Sequence, residues 1–326
     1  METFWETELW VYGLVLPELE KIQKNSKTKL LWPHCYGLDR DGSDKVLLLE
    51  DLSVKGYQIC RLDKSLDLVH ATLVLEQLAC LHAASFVLQC VHRDRFESLL
   101  RECENIERRY DFVDYLDPSI KFANEHVDCD EFQNILKKFC SFDFKEKVRY
   151  LRNGHNYMYS VITHGDVWVN NLLFQYDEDT PTGVILLDYQ ISRYSSPLCD
   201  LYFMLFLAVD EATRDGHFMD LVNTYERALR QQIVELGQDP EQIYPKEQFQ
   251  RDLRTFSYSG MAQTLHMLPM FANNPKDVQE HLLKIRAKPM VKGKPFVGVP
   301  IASPEYMNRV KQMTRDIIKH GLADLW

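Results

Sequence analysis

Three oxygen-bearing side chains and a histidine interrupt an otherwise apolar stretch. "THGDVWVNNLLF" covers residues 163–174 and "LLDYQ" covers 186–190. A buried strand pair has no use for His164, Asp166, Asn171 and Asp188 at such close spacing, because unpaired polar groups are costly in an apolar setting. A site for metal and phosphate does. Magnesium prefers oxygen ligands and takes few from the protein, leaving the rest to phosphate and water. One carboxylate and one amide oxygen suit that role. A further carboxylate, not bound to the metal, can accept the proton of an attacking hydroxyl.

The elements that must position these groups are two short strands. "LLFQY" and "GVILL" are apolar and strand-like, and "DEDTPT" at 177–182 reads as a six-residue connection. Pairing Tyr176 with Gly183 in an antiparallel register brings Asn171 opposite Asp188. Asp166 then sits on the loop entering the first strand. The H-x-D-x-x-x-x-N spacing with a later aspartate is the kinase-type phosphoryl-transfer pattern, and it reads here as His164, Asp166, Asn171 and Asp188.

Around this hairpin the chain is mostly helical in pattern. Residues 3–22 read as a helix with Phe4, Glu8 and Tyr12 on one face, and Pro17 predicts a break or restart. "LLWPHCYGL" and "KVLLLEDL" read as strands about the Asp-Gly turn of "DRDGSD", the second as a buried strand. From about Asp67 to Val87 the spacing is helical, with Ala71, Val74, Leu75, Leu78, Leu81 and Ser85 along one side. "RFESLLRECENIERRYDFV" and "DEFQNILKKFCSF" continue the helical pattern, and further helices are expected over 199–209, 217–236, 246–267 and 303–323. "NNPKD" and "KPMVKGKPFVGVPIASP" read as loops, with Lys288, Lys292 and Lys294 in solvent. His82 reads as a core histidine, His164 as a brace for the loop backbone, and Trp168 as a packing residue.

The composition narrows the class. In 326 residues, 38 Lys and Arg against 48 Asp and Glu give a formal charge of −10, which argues against a nucleic-acid partner. Eight cysteines form no C-x-x-C pair, so zinc-ribbon and redox motifs are absent and no disulfide framework is expected. The acidic start "METFWETELW" lacks signal-peptide character, and the densest apolar run, 201–209, is half a membrane span. A cytoplasmic protein with no membrane partner is expected. The P-loop, G-x-G-x-x-G, G-x-S-x-G and H-E-x-x-H motifs are missing.

Taken together, "THGDVWVNNLLF", "LLDYQISRYSSPLCDLYF", "LLLEDLS" and "LEQLACLHAAS" resemble the ecdysteroid kinase-like family, allied to choline and aminoglycoside kinases. The resemblance runs from residue 1 to near the end. It implies an α+β, protein-kinase-like fold of the aminoglycoside phosphotransferase type, with two lobes, a truncated N-lobe and a large helical C-lobe. Residues 1–52 would be the partial N-lobe and hinge, and 53–326 the helical C-lobe with the catalytic hairpin. It implies ATP and magnesium as cofactors and an alcohol of a small molecule, steroid-like as in ecdysteroids, as phosphoryl acceptor. By the same resemblance Asp166 is the catalytic base and Asn171 and Asp188 hold magnesium. Asp200 braces the catalytic loop, the backbone at Glu50 and Asp51 bonds adenine, and Glu8 pairs with the nucleotide-binding lysine. Gln190 replaces the glycine of the protein-kinase D-F-G.

The pattern breaks at that lysine. Seven residues precede Glu8, none of them Lys or Gly, and the first lysine is Lys21, on the wrong side of the helix. The expectation is therefore a shortened kinase without its glycine-rich loop. The alternative is a catalytically impaired pseudokinase that binds a small molecule.

Overall fold

The structure is a computed structural model that describes residues 2–39, 45–62, 65–106, 111–141, 143–272 and 302–326. The expected Asp-Gly turn, "NNPKD" and Lys288, Lys292 and Lys294 lie outside the described residues. The chain divides into two compact units, Met1–Arg109 with Asn153–Arg251 and Tyr110–Arg152 with Asp252–Trp326. The boundary expected near residue 52 falls inside the first unit.

The first unit opens with a helical segment in three parts: α-helix Glu2–Trp10, a π-helical turn Val11–Val15, and α-helix Leu16–Ile22. Pro17 stands in the first turn of the last part. Proline has no N–H and its ring crowds the carbonyl four residues back. The widened turn relieves that crowding, and the Leu16 N–H bonds instead to the carbonyl of Val11. Leu9, Trp10, Tyr12, Val15, Leu16 and Leu19 are buried, and Trp10 Nε1 donates to the Leu99 carbonyl at 3.1 Å.

Strands β1 (Cys35–Asp39) and β2 (Val46–Leu49) pair antiparallel, with Leu38 opposite Leu47. The consecutive leucines of β2 predict a strand buried on both faces, and here the structure differs. Val46 is 51% and Leu48 59% exposed. Only one face is covered: the Leu38 side chain lies so close to Gly13 that a Cβ there would meet it at 2.9 Å. An unbroken apolar run is the mark of a two-sided burial that a two-stranded sheet with one helical neighbour does not supply.

The centre of the unit is the helix Leu68–Val91, N-capped by Asp67, whose carboxylate accepts from the N–H groups of Val69 and His70. The predicted stripe from Ala71 to Ser85 is buried, but so are Ala79, Cys80, His82, Ala83 and Ala84 between its members. The helix is enclosed all round over that stretch, chiefly by Glu211–Glu235. It is the one helix among the described residues long and apolar enough to cross a membrane, and most of that surface is taken up by protein. The helix Leu198–Leu207 is buried at every position, which accounts for the apolar run at 201–209.

Three further pairings frame the loops of interest. Strand β3 (Gln58–Ile59) pairs with β5 (Leu172–Asp177), after β4 (Val161–Thr163). Strand β5 pairs in turn with β6 (Thr180–Leu186), and β7 (Arg193–Ser195) pairs with β4. The β5–β6 hairpin corrects the predicted register by one residue: Gln175, not Tyr176, faces Gly183, and Leu172 faces Leu186. A bulge at Gln175/Tyr176 then brings Asp177 opposite Thr180. The connection is a two-residue turn of Glu178, at φ +52°, and Asp179, so the six polar residues read as loop are mostly strand.

The second unit is helical: Leu116–His126, Asp130–Phe139, Phe144–Arg152, most of Lys246–Phe271, and Pro304–Lys319. Phe139 stacks on Tyr258 at 4.4 Å, and Trp326 meets the Tyr258 edge at 5.4 Å. The Arg152 guanidinium lies 4.4 Å over Phe112 and donates to Gln263 Oε1 at 2.7 Å. All eight cysteines are free thiols.

Candidate active site

Two antiparallel ladders clamp two loops side by side. The β4–β7 pair fixes one end and the β5–β6 pair the other, so residues 164–171 and 187–192 run together between them. The Leu187 N–H donates to the Asn171 carbonyl at 2.9 Å, which places Leu187 rather than Asp188 opposite Asn171. Asp188 turns away at φ +65°, a left-handed conformation that is strained for a residue with a Cβ. The two loops touch through backbone: at Gly165, φ +89°, an added Cβ would lie 2.6 Å from the Ile191 carbonyl oxygen. Ser192 Oγ donates to the His164 carbonyl at 3.1 Å, and Thr163 Oγ1 to that of Arg193 at 3.0 Å.

Asp200 anchors the first loop from beneath. Its Oδ2 accepts the His164 N–H at 2.7 Å and its Oδ1 the Gly165 N–H at 2.8 Å. His82 Nε2 reaches Oδ2 at 3.1 Å, and His82 Nδ1 bonds the Tyr225 hydroxyl at 2.7 Å. Burial alone would push the Asp200 carboxyl up, but these bonds and the neighbouring imidazoles hold it below its ordinary value. His82 is thus the core residue its helical setting suggests. Its partners, Asp200 and Tyr225, were not legible from it.

His164 is fully buried and neutral. Burial depresses its pKa to about 4, outweighing Asp200. Nε2 faces the Leu187 carbonyl at 3.0 Å and Nδ1 accepts the Asp166 N–H at 3.2 Å, which assigns the Nε2–H tautomer. The ring joins both loops, and its face lies 4.6 Å from Tyr189. Tyr189 in turn meets Tyr12 edge-on at 5.8 Å.

Asp166 and Asp188 are two carboxylates close enough to act on each other's charge. Asn171 Nδ2 donates to Asp166 Oδ2 at 2.9 Å and to the Asp166 carbonyl at 3.0 Å. Asp166 is 7% exposed, and its Oδ1 is buried without a hydrogen-bond partner among the described residues. Burial, then the charge of Asp188, raises its carboxyl to about 7, while the Asn171 and Gln190 amides temper the rise. Asp188 is also raised by burial, against the N–H of Gln190. Gln190 holds Asp188 twice, through its backbone N–H to Oδ1 at 3.4 Å and its Nε2 to Oδ2 at 3.0 Å. Among the described residues no three His, Cys, Asp or Glu side chains form a metal cage.

Glu8 reaches the same region. Its carboxyl is raised to about 7, by burial first and Asp188 second, and it accepts the N–H of Tyr189. Glu50 and Asp51 follow β2. The Glu50 N–H donates to the His34 carbonyl at 2.8 Å, and its carboxylate pairs with Lys55 at 2.6 Å. Asp51 caps a 3-10 turn, Leu52–Lys55, by accepting the Ser53 N–H. The structure therefore gathers Glu8, His164, Asp166, Asn171, Asp188 and Asp200 around one pair of loops, and Glu50 and Asp51 belong to the same unit. Gln190 was named from sequence as the replacement for the D-F-G glycine but was given no role; its hold on Asp188 is seen in the structure.

Residues 1–238 match the ecdysteroid kinase-like family. No curated protein matches. Among solved structures the chain is similar to an ethanolamine kinase of Plasmodium vivax, at 15% identity and a TM-score of 0.42, over 95% of this chain and 73% of that one. The family match spans well over half of the sequence and contains every residue of the two loops. The chain belongs to the ecdysteroid kinase-like family, with the kinase-like α+β architecture and large helical portion that its motifs imply.

Proposed function

We propose that the chain is an ATP- and magnesium-dependent phosphotransferase whose acceptor is an alcohol of a small, steroid-like molecule. The observation that carries the reading is Asp166: a buried carboxylate with one oxygen unpartnered among the described residues and a proton affinity raised to about 7. A general base works best with a pKa near the working pH and a free oxygen within reach of the proton it takes. Its Oδ1 would receive the proton of the acceptor hydroxyl.

The donor set beside it fits magnesium. With Asn171 Nδ2 turned to Asp166, the amide oxygen of Asn171 and the carboxylate of Asp188 are hard ligands of the kind this ion takes. When bound, magnesium neutralises charge on the transferring phosphates. The neutral His164 ties the two loops together and so fixes the distance between base and ligands. Asp200 fixes the backbone from which Asp166 projects. The Glu50 carbonyl and the Asp51 backbone are the groups assigned to adenine.

The test is magnesium-dependent ATP binding by calorimetry, followed by ADP release in the presence of a panel of sterol and ecdysteroid alcohols. Asp166→Asn should abolish transfer and spare nucleotide binding; equal turnover in that variant rejects Asp166 as base. A second reading, a binding protein without transfer activity, is favoured by one feature. Among the described residues the charge that acts on Glu8 is that of Asp188, where a basic partner is expected. Alcohol binding without any magnesium–ATP binding would select that reading.

A further inference from the structure

Each of the two carboxylates is held by an amide. Asn171 grips Asp166, as the preceding geometry shows, and Gln190 grips Asp188. The second grip is a ring of contacts closed over three residues. The backbone N–H of Gln190 faces Asp188 Oδ1 at 3.4 Å, and its side chain folds back to place Nε2 on Oδ2 at 3.0 Å. The left-handed backbone of Asp188 fixes where the carboxylate starts, and Gln190 fixes how it is rotated. A residue without a side-chain donor at this position would leave the carboxylate free to turn.

We propose that Gln190 is the positioning residue that orients Asp188 for a divalent cation, an inference that rests on reading Asp188 as a magnesium ligand. The amide suits the task for three reasons. Its Nε2 donates to Oδ2 alone, and Oδ1, whose one contact with Gln190 is the long backbone approach at 3.4 Å, keeps a lone pair for the ion. It brings no charge, so Asp188 keeps the full negative charge that attracts the ion. It also restricts the carboxylate to one orientation, which matters for magnesium because that ion demands near-octahedral geometry and is held by few protein ligands. Partners that orient a ligand from behind typically contribute 10–100-fold to metal affinity.

The test uses the full chain, ADP and Mn²⁺, with free Mn²⁺ read by electron paramagnetic resonance. Gln190→Met keeps the length and apolar body of the side chain but donates nothing, and Gln190→Ala removes it. Both should weaken Mn²⁺ binding about tenfold or more. The magnesium concentration for half-maximal transfer should rise in parallel, with the urea midpoint unchanged. Asp188→Asn should lose Mn²⁺ binding altogether. If Asp188→Asn binds Mn²⁺ like the wild type, the ligand reading fails and this inference with it. If Asp188→Asn loses the ion while both Gln190 variants keep wild-type affinity, Gln190 is not a positioning residue and the ligand reading stands.

Discussion

His82 and Asp200 meet at 3.1 Å although 118 residues separate them in sequence, and both side chains are essentially out of solvent. The contact ties the central helix to the loop that carries Asp166, because the same carboxylate accepts the N–H groups of His164 and Gly165. Asp200→Ala would strand two backbone donors and one imidazole in the interior. Breaking a buried pair on one side costs about 3–5 kcal/mol. Urea unfolding of Asp200→Ala should show a loss of that size, together with loss of transfer; a change below about 1 kcal/mol would contradict the bracing role.

Gly165 is required by conformation and by space. Its φ is +89°, and a methyl group there would press on the Ile191 carbonyl. Gly165→Ala should cost about 1–3 kcal/mol of stability. It should also lower kcat more than it raises the nucleotide KM, since Asp166 is the next residue along the shifted loop. Gly216→Ala, where an added Cβ meets nothing within 4 Å, is the matched control. Equal effects from the two substitutions would remove the special status of Gly165.

The parts of the site close in sequence were legible there. The H-x-D-x-x-x-x-N spacing is local, and its three residues stand on one loop beside the loop that carries Asp188. The hairpin was legible as a hairpin but not in register, because the bulge at Gln175/Tyr176 leaves no mark in an alternating apolar pattern. The β4–β7 pair was missed, since strands of three residues carry too little periodicity to be seen. His82 and Tyr225 were beyond reach for a different reason: nothing in a helical apolar segment says which distant carboxylate a histidine on it will meet. The exposure of Val46 and Leu48 is a matter of which neighbours are present, which local pattern does not encode.

Tyr189 offers a test of the opposite sign. Its hydroxyl is buried and has no hydrogen-bond partner among the described residues, while its ring packs on His164 and Tyr12. Tyr189→Phe keeps the ring contacts and removes a desolvated polar group. Chemical denaturation should show unchanged stability or a gain of up to about 1 kcal/mol, with transfer retained. A loss of more than about 1 kcal/mol would mean that the hydroxyl is satisfied in solution.

Asp166 gives the clearest pH signature. Its carboxyl is raised from 3.8 to about 7 by burial and by Asp188. Below 3.8 both the folded and unfolded chains hold this proton, so it contributes no pH dependence. Between 3.8 and about 7 the folded chain still holds it and the unfolded chain does not, so unfolding releases a proton and stability falls as pH rises. Above about 7 the folded chain bears the full cost of an ionised buried carboxylate. His164 acts in the other direction, since it is held down to about 4 and must charge on unfolding at acid pH. The Asp166 contribution is therefore read as a difference. With a chelator present, the Tm of Asp166→Asn minus that of the wild type should be near zero at pH 4. It should grow through pH 5 and 6 and level off above about 7 as a stabilisation of several degrees in favour of the variant. Adding magnesium and ADP should narrow the gap at pH 8, because a cation beside Asp188 stabilises the ionised form of Asp166. A difference that is flat with pH would show that Asp166 is already ionised across the range and has no raised proton affinity to offer an acceptor.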